Sequence, residues 1–292
     1  MARRLAPGFR IGASFKARFN ADATQLATLG KRITLWDVAA RARIATGPPL
    51  QQAAAVDFSP DGRLLAAKNT SGQILVMAVP DLDERARFSG RGFGEGTDIF
   101  FAPDGRHLVD GTWSGLLSVR DALTGNIVWQ EAGADIFTLA CTRDRRTWLY
   151  HRTGGDVVLR GWPFGDTPPE PVVSLQHVGP MALSDDARRI AFLKRGLTIL
   201  QRGTAWEVAA QLDVVPIGGT GQAMSWSPDG TLLAYTAERH ATIFDAELRP
   251  LHREDLRYVS DADFAPTGTL VAFGDWSTGL VLAWPQAGTT ST

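Results

Sequence analysis

The residue types that most often carry out catalysis are few and widely spaced in this sequence. Its five histidines lie far apart along the chain, at His107, His151, His177, His240 and His252. The patterns His-Glu-x-x-His, Cys-x-x-Cys and the calcium loop do not occur. The segment 111–115 is not a nucleophile elbow, because Thr112 stands where that motif needs its first glycine. The sequence therefore predicts no catalytic residue, no metal site and no bound cofactor.

Residues suited to recognition are better represented, in seven short polar loops spaced along the chain. Five of these loops carry a basic residue, and two carry a tryptophan in the related forms Gly-Thr-Trp-Ser-Gly and Gly-Asp-Trp-Ser-Thr-Gly. Arginine pairs with carboxylates and phosphates, and tryptophan offers a large stacking surface at low entropy cost. The candidate partner-binding residues are Arg32, Lys68, Trp113, Arg152, Arg195, Arg239 and Trp276.

A plainer interpretation of the same loops stays open. Charged side chains in surface loops are usually just solvated, and lone exposed residues need no functional explanation. Trp113 and Trp276 can also pack down between structural repeats instead of facing a partner. The two interpretations differ in whether these side chains are exposed on one common surface.

The loops belong to a repeat that runs through the whole chain. Its strongest copies combine an apolar anchor residue with Ser-Pro-Asp-Gly or Ala-Pro-Asp-Gly and a short apolar run. The anchors of the seven copies are Phe19, Phe58, Phe101, Cys141, Leu183, Trp226 and Phe264. The steps between them are 39, 43, 40, 42, 43 and 38 residues, a period typical of four-stranded propeller blades. Pro-Asp-Gly predicts a tight turn, and the flanking apolar runs predict the antiparallel strands that it joins.

We therefore expect one all-β domain over residues 1–292, a single seven-bladed β-propeller with four antiparallel strands per blade. The last repeat supplies only three strands, and residues 285–292 are expected to form a loose tail. Residues 3–11 precede the first repeat and have no blade of their own. We predict that they form the N-terminal strand that joins the last blade and closes the ring, because an open propeller would expose a sheet edge.

Two aspartates occupy a repeated position near the predicted ring axis. Asp57 and Asp263 each come one residue before an anchor at the end of an inner strand. Repetition of a residue type at one position of a repeat indicates a structural role more than a unique site. We interpret both as channel-lining or local hydrogen-bonding groups.

The repeat resembles that of the WD-repeat propeller family over essentially the whole chain. The Trp-Asp ending of that family occurs in full at Trp36-Asp37 and is altered elsewhere, and its Gly-His pair is missing. The resemblance implies a platform that binds proteins or peptides on the face formed by two sets of loops. One set joins the second and third strands of each blade, and the other set joins successive blades. It also implies that the family's buried Trp–Ser/Thr–His–Asp network is largely lost, so apolar stacking must stabilise the ring.

Composition sets the remaining expectations. The formal net charge of −1 argues against nucleic acid as a partner. No apolar stretch is long enough for a membrane span or placed like a secretory signal, so we expect a cytoplasmic protein. The single cysteine, Cys141, can form no internal disulfide. Only four of the 30 basic residues are lysine, a bias that favours a bacterial, GC-rich genome.

The leading hypothesis is a non-enzymatic scaffold that binds a partner protein or peptide on the loop face of the ring. An acidic segment suits the basic loops, and the chain is expected to act as a monomer or as a subunit of a larger complex. The alternative is a propeller enzyme, lactonase-like or hydrolase-like, with a metal or polar site in the central channel. There, His151 and His240 would approach Asp110 or Asp275.

Overall fold

The computed structural model describes most of the chain between residues 6 and 284. The described ranges are 6–89, 96–112, 115–133, 139–176, 179–194, 196–213, 223–237 and 239–284. Some predictions lie outside them, including the tail at 285–292, the first residues of the closing strand, and the partner-binding residues Trp113 and Arg195. The described residues contain no helix with the length and apolar character that a membrane span needs.

Seven antiparallel sheets follow one another along the chain and surround a central axis. We number them as blades 1 to 7 and give their strands from the axis outward. Blade 1 has β2 (Lys16–Phe19), β3 (Gln25–Leu29), β4 (Ile33–Asp37) and β5 (Ala42–Thr46), and blade 2 has β6 (Ala53–Phe58), β7 (Leu64–Asn69), β8 (Gln73–Ala78) and β9 (Asp83–Ser89). Blade 3 has β10 (Gly96–Phe101), β11 (His107–Thr112), β12 (Leu116–Asp121) and β13 (Ile127–Ala132), and blade 4 has β14 (Ala140–Cys141), β15 (Thr147–His151), β16 (Asp156–Gly161) and β17 (Glu170–Ser174). Blade 5 has β18 (Met181–Leu183), β19 (Arg189–Leu193), β20 (Leu197–Arg202) and β21 (Trp206–Leu212), and blade 6 has β22 (Met224–Trp226), β23 (Leu232–Ala237), β24 (His240–Asp245) and β25 (Pro250–Asp255).

Blade 7 closes the ring with strands from both ends of the chain. It consists of β26 (Val259–Phe264), the long β27 (Leu270–Ala283) and β1 (Ala6–Ser14). One arm of β27 pairs with β26 and the other with β1, in a register that sets Phe9 against Val281 and Arg10 against Leu280. The predicted seven-bladed propeller and its N-terminal closure are therefore confirmed, with a closing strand that extends to Ser14.

The repeated turn after each inner strand has a common hydrogen-bond pattern. In blade 2 the Ser59 hydroxyl donates to the Asp61 carboxylate at 2.6 Å, and the backbone N–H of Arg63 donates to the same oxygen. Gly62 has a φ of 70°, a value that glycine adopts without strain. The equivalent hydroxyl–carboxylate contact, also 2.6 Å, recurs in the turns of blades 4, 5 and 6. The Pro-Asp-Gly prediction of a turn is confirmed.

Apolar packing lies between the blades and not within any one of them. The described residues form seven buried clusters, and each cluster combines side chains of two adjacent blades. Leu35 of blade 1 packs with Phe58 of blade 2, for example, and Phe264 of blade 7 packs with Ile243 of blade 6. The cluster between blades 7 and 1 includes Ile11 of the closing strand. Stacking between blades thus supplies the core, as the family resemblance implied.

The family's tryptophan position carries different side chains in different blades. In blade 1, Trp36 donates from Nε1 to the Thr28 hydroxyl at 3.0 Å. The equivalent residue of blade 3 is Arg120, whose Nε donates to Asp110 at 3.1 Å. In blade 4 it is Arg160, which bonds the hydroxyl of Tyr150 at 3.1 Å. Charged contacts therefore supplement apolar stacking where the tryptophan is lost.

The closing strand provides a direct stability test, because neighbouring side chains of β1 face different surroundings. Ile11 is 3% exposed and packs between blades 7 and 1, whereas Arg10 is exposed. Ile11→Ala should lower the free energy of unfolding by about 2–4 kcal/mol, and Arg10→Ala should change it by less than about 0.5 kcal/mol. Denaturant titration measures both values, and equal effects would show that β1 does not close the ring.

Candidate functional site

The inner strands of the seven blades enclose a central channel with a cavity volume of about 1300 Å³. One end of the channel lies at the Pro-Asp-Gly turns, which we call the turn face. The other end lies at the turns between second and third strands and at the connections between blades, which we call the loop face. Trp276, Lys31 and Thr70 border the channel at the loop face. This cavity, with its two rims, is large enough to hold a ligand.

The residue before each anchor faces the channel, and in three blades it bonds the next blade. The Asp57 carboxylate accepts the backbone N–H of Phe101 at 2.8 Å, and Asp263 accepts that of Phe19 at 2.9 Å. The hydroxyl of Ser225 accepts a third such N–H, from the anchor of blade 7, at 3.1 Å. The interpretation of Asp57 and Asp263 as channel-lining, hydrogen-bonding groups is confirmed. Burial raises the pKa of Asp57 and of Asp263.

Two arginines from a single turn cross the channel near the turn face. Arg143 of blade 4 donates to the carbonyl oxygens of Trp226 and Phe264, at 3.1 and 2.9 Å, in blades 6 and 7. Its Nε lies 2.9 Å from a carboxylate oxygen of Asp185 in blade 5. Because blades 4 and 7 stand on nearly opposite sides of the ring, this side chain spans the channel.

The second arginine of that turn braces the other half of the ring. Arg145 forms a two-point ion pair with Asp57 of blade 2, at 2.5 and 3.1 Å, and donates to the carbonyl oxygen of Phe101 of blade 3 at 2.9 Å. Arg143 and Arg145 together connect blade 4 to five other blades. They cross the channel near its turn-face end and narrow it there.

Blades 7, 1 and 3 line one side of the channel with charged groups. The Lys16 ammonium lies 3.3 Å from Asp261 and 3.8 Å from Asp98. Arg18 donates from Nη1 to Asp261 at 2.8 Å. Burial opposes the charge of Arg18, but the carboxylates of Asp261 and Asp263 outweigh it and raise the pKa of this guanidinium. Burial raises the pKa of Asp98 as well.

Blades 4, 5 and 6 line the other side with apolar and small side chains. Leu139, Met181 and Met224 face the cavity and are each at most 9% exposed. Cys141 lies on the same side, where burial raises the pKa of its thiol to about 12. Away from the arginines at the turn face, the channel wall is therefore amphipathic, with charged groups on the side of blades 7, 1 and 3 and apolar groups on the side of blades 4 to 6.

At the loop face, an aromatic pair stands beside the channel mouth. The Trp276 ring stacks on that of Phe15 at a centroid distance of 4.7 Å, and Trp276 remains 58% exposed. The buried Asp275 carboxylate fixes this loop, because it accepts backbone N–H groups from Arg257 and Tyr258 on one oxygen and three donors of Ser277 and Thr278 on the other. Burial works against this charge, but these hydrogen bonds outweigh it and lower the pKa of Asp275.

Three of the predicted partner-binding residues are exposed at the loop face: Arg32, Arg239 and Trp276. Arg152 is partly exposed at the same face, and its Nε is 3.0 Å from the Glu131 carboxylate. Trp113 and Arg195 lie outside the described residues. The prediction for these two positions stays a prediction.

The prediction for Lys68 is corrected. Strand β7 continues through this residue to Asn69, so the side chain turns inward between blades 2 and 3 and is fully buried. Its ammonium donates to Asp110 at 2.5 Å and to the carbonyl oxygen of Gly111 at 2.7 Å. Arg120 bonds the other oxygen of the same carboxylate. Lys68 stabilises a blade interface and is not available to a partner.

The histidine–aspartate cluster of the enzyme alternative is not assembled. His151 is buried and its Nε2 lies 2.8 Å from the carbonyl oxygen of Leu175. Asp110 is bonded to Lys68, and Asp275 is occupied by its own loop. Within the described ranges, no three histidine, cysteine or acidic side chains are grouped in a way that would hold a metal ion.

Several charged side chains that line the channel were not predicted from the sequence: Lys16, Arg18, Asp98, Asp261, Arg143 and Arg145. A signal for some of them existed. Lys16 and Arg18 alternate before the anchor of blade 1, and Asp261 and Asp263 alternate before the anchor of blade 7. Alternate residues of a strand share one face, so these pairs had to point together toward the axis. No sequence pattern indicated how far the arginines of the blade 4 turn reach.

Comparison with known proteins supports the fold and leaves the family open. No family model matches the chain, and no curated protein matches its sequence. A solved structure of Kuenenia stuttgartiensis hydrazine synthase is similar in fold, with a TM-score of 0.76 and 15% identity. The match covers 98% of each chain. The chain is thus a seven-bladed β-propeller, and at this identity the likeness shows the fold alone.

Because Arg143 spans the channel and Arg146 does not, substitutions of these two residues of the blade 4 turn should change the free energy of unfolding by different amounts. Arg143→Ala removes two hydrogen bonds to backbone carbonyls and leaves Asp185 without its cation, which should cost about 2 kcal/mol. Arg146 is exposed on the same turn, and Arg146→Ala should stay within about 0.5 kcal/mol of the wild type. Chemical denaturation compares them. Indistinguishable midpoints for Arg143→Ala and the wild type would rule out a bracing role.

Proposed function

We propose that this protein is a non-enzymatic binding module, of WD-repeat type, that holds a partner protein or peptide on its loop face. The observation that carries the proposal is the exposed Trp276 ring, stacked on Phe15 and fixed beside the channel mouth. Exposed tryptophan is costly to leave in water unless a partner covers it, and aromatic residues dominate the binding energy of protein interfaces.

Exposed cations extend this site along the rim from blade 6 to blade 1. We define the basic-aromatic band as Lys31, Arg32, Arg239, Arg257, Tyr258 and Trp276. Backbone hydrogen bonds fix its spacing, from Leu256 to Arg239 at 3.0 Å and from Trp276 to Tyr258 at 3.1 Å. Tyr258 is 47% exposed.

The charge of the band favours an acidic partner segment. None of its four cations has an ion-pair partner among the residues that the structure describes. Asp275, the nearest buried carboxylate, is fully occupied by backbone and hydroxyl donors. Unpaired arginines bind carboxylates with charge-assisted, two-point hydrogen bonds and accelerate association with an oppositely charged surface. The partner therefore contributes carboxylates that flank an apolar or aromatic side chain placed on Trp276.

Affinity purification from the source cells tests the proposal with variants on opposite faces. Trp276→Ala and Arg239→Glu change exposed side chains of the band, so both should keep the wild-type melting temperature. Each should reduce recovery of the wild-type partner at least about tenfold. Arg63→Glu is the control, because Arg63 is exposed on the turn face. Equal recovery with Trp276→Ala and wild type would refute the proposed surface.

A further inference from the structure

The channel beneath the mouth has properties that a protein-binding rim does not require. Its wall is charged on one side and apolar on the other, and Arg143 spans the far end. The cavity of about 1300 Å³ is somewhat larger than common small-molecule sites, which measure roughly 300–1000 Å³. A ligand of several connected rings therefore fits the space.

The charged side of the wall is internally paired. Lys16 lies between Asp261 and Asp98, and Arg18 holds the second oxygen of Asp261. A cationic ligand would compete with Lys16 for these carboxylates, and an anionic ligand would compete with Asp261 for Lys16. Separating a partly buried ion pair is costly because it leaves one charge without compensation. The pairing therefore favours a ligand without net charge.

These paired groups still have free hydrogen-bonding capacity toward the cavity. The Lys16 ammonium has three donors and makes one hydrogen bond, to Asp261, among the described residues. The Asp98 carboxylate lies beyond hydrogen-bond distance from Lys16, at 3.8 Å, and is partly buried. Donors and acceptors thus stand side by side. A hydroxyl group matches this arrangement because it donates and accepts at once.

The remaining surfaces suit the flat faces of rings. Leu139, Met181 and Met224 present apolar groups opposite the charged side, and Trp276 presents an exposed ring at the entrance. A sugar ring carries hydroxyls on its edge and C–H groups on its faces. One sugar can therefore form hydrogen bonds with the charged side of the channel and apolar contacts with the opposite side.

We propose that the channel is a second, separate site that binds a neutral oligosaccharide, with its hydroxyls on Lys16 and Asp98 and its ring faces against blades 4 to 6. The ligand enters from the loop face past Trp276. Trp276 and Lys31 border both sites, but Lys16 and Asp98 lie inside the channel and not on the basic-aromatic band.

Isothermal titration calorimetry with trisaccharides of differing charge tests the site. Maltotriose and cellotriose are the neutral probes, the glucosamine trisaccharide is the cationic probe and trigalacturonate is the anionic probe. At least one neutral probe should bind the wild-type protein more tightly than either charged probe. Absence of binding by both neutral probes at millimolar concentration, or tighter binding of a charged one, overturns the proposal.

Matched variants locate any binding within the channel. Lys16→Met and Asp98→Asn should each weaken binding of the neutral probe at least about tenfold, because each loses a charge-assisted hydrogen bond. Asp61→Asn is the control, since that carboxylate lies in an exposed turn at the turn face and does not line the channel. Unchanged affinity in both channel variants, with melting temperatures equal to that of the control, would contradict the site. Partner recovery by Lys16→Met should stay at the wild-type level, which separates this result from a failure of the proposed function.

Discussion

No blade of this protein can bury its own faces, and that constraint shapes the rest of the structure. Each of the seven apolar clusters needs side chains from two neighbouring blades, including the one between the first and last blades. In repeat proteins, stability comes from such nearest-neighbour interfaces. A ring adds one interface that an open array lacks, and here the N-terminal strand completes it by pairing with β27. Strands from the N-terminal and the C-terminal parts of the chain, β1 and β27, thereby form one blade.

The same constraint produces the site. Closing seven blades brings seven inner strands around one axis, so residues distant in sequence meet in the channel. Arg143 reaches blade 7 and Arg145 reaches blade 2 from a single turn. These braces cross and narrow the turn-face end of the channel, and the opposite end opens at the loop face. Trp276, held by Asp275, stands at that entrance because the blade 7 hairpin is fixed against blade 1 through Phe15.

The sequence predicted the fold because the repeat encodes local structure. Turn residues and alternating apolar runs act within about ten residues of each other, so the positions of strands follow directly from them. The closing strand also followed, from a count of strands in the last repeat. Lys68 was misplaced because it is the penultimate residue of strand β7, next to a polar loop, and only its burial against Asp110 reveals its direction. The channel charges depend on which blades face each other across the ring, which local patterns do not contain.

Native-state hydrogen exchange of the inner-strand amides tests the central claim most directly. The backbone N–H groups of Phe19, Phe101 and Phe264 each bond a side chain of the preceding blade. If the blades are stable only as a closed ring, these three amides should exchange with the same free energy, within about 1 kcal/mol of that for global unfolding. Exchange of the Phe19 or Phe264 amide at a much lower free energy than Phe101 would show that blades 7 and 1 open on their own, and would contradict the account.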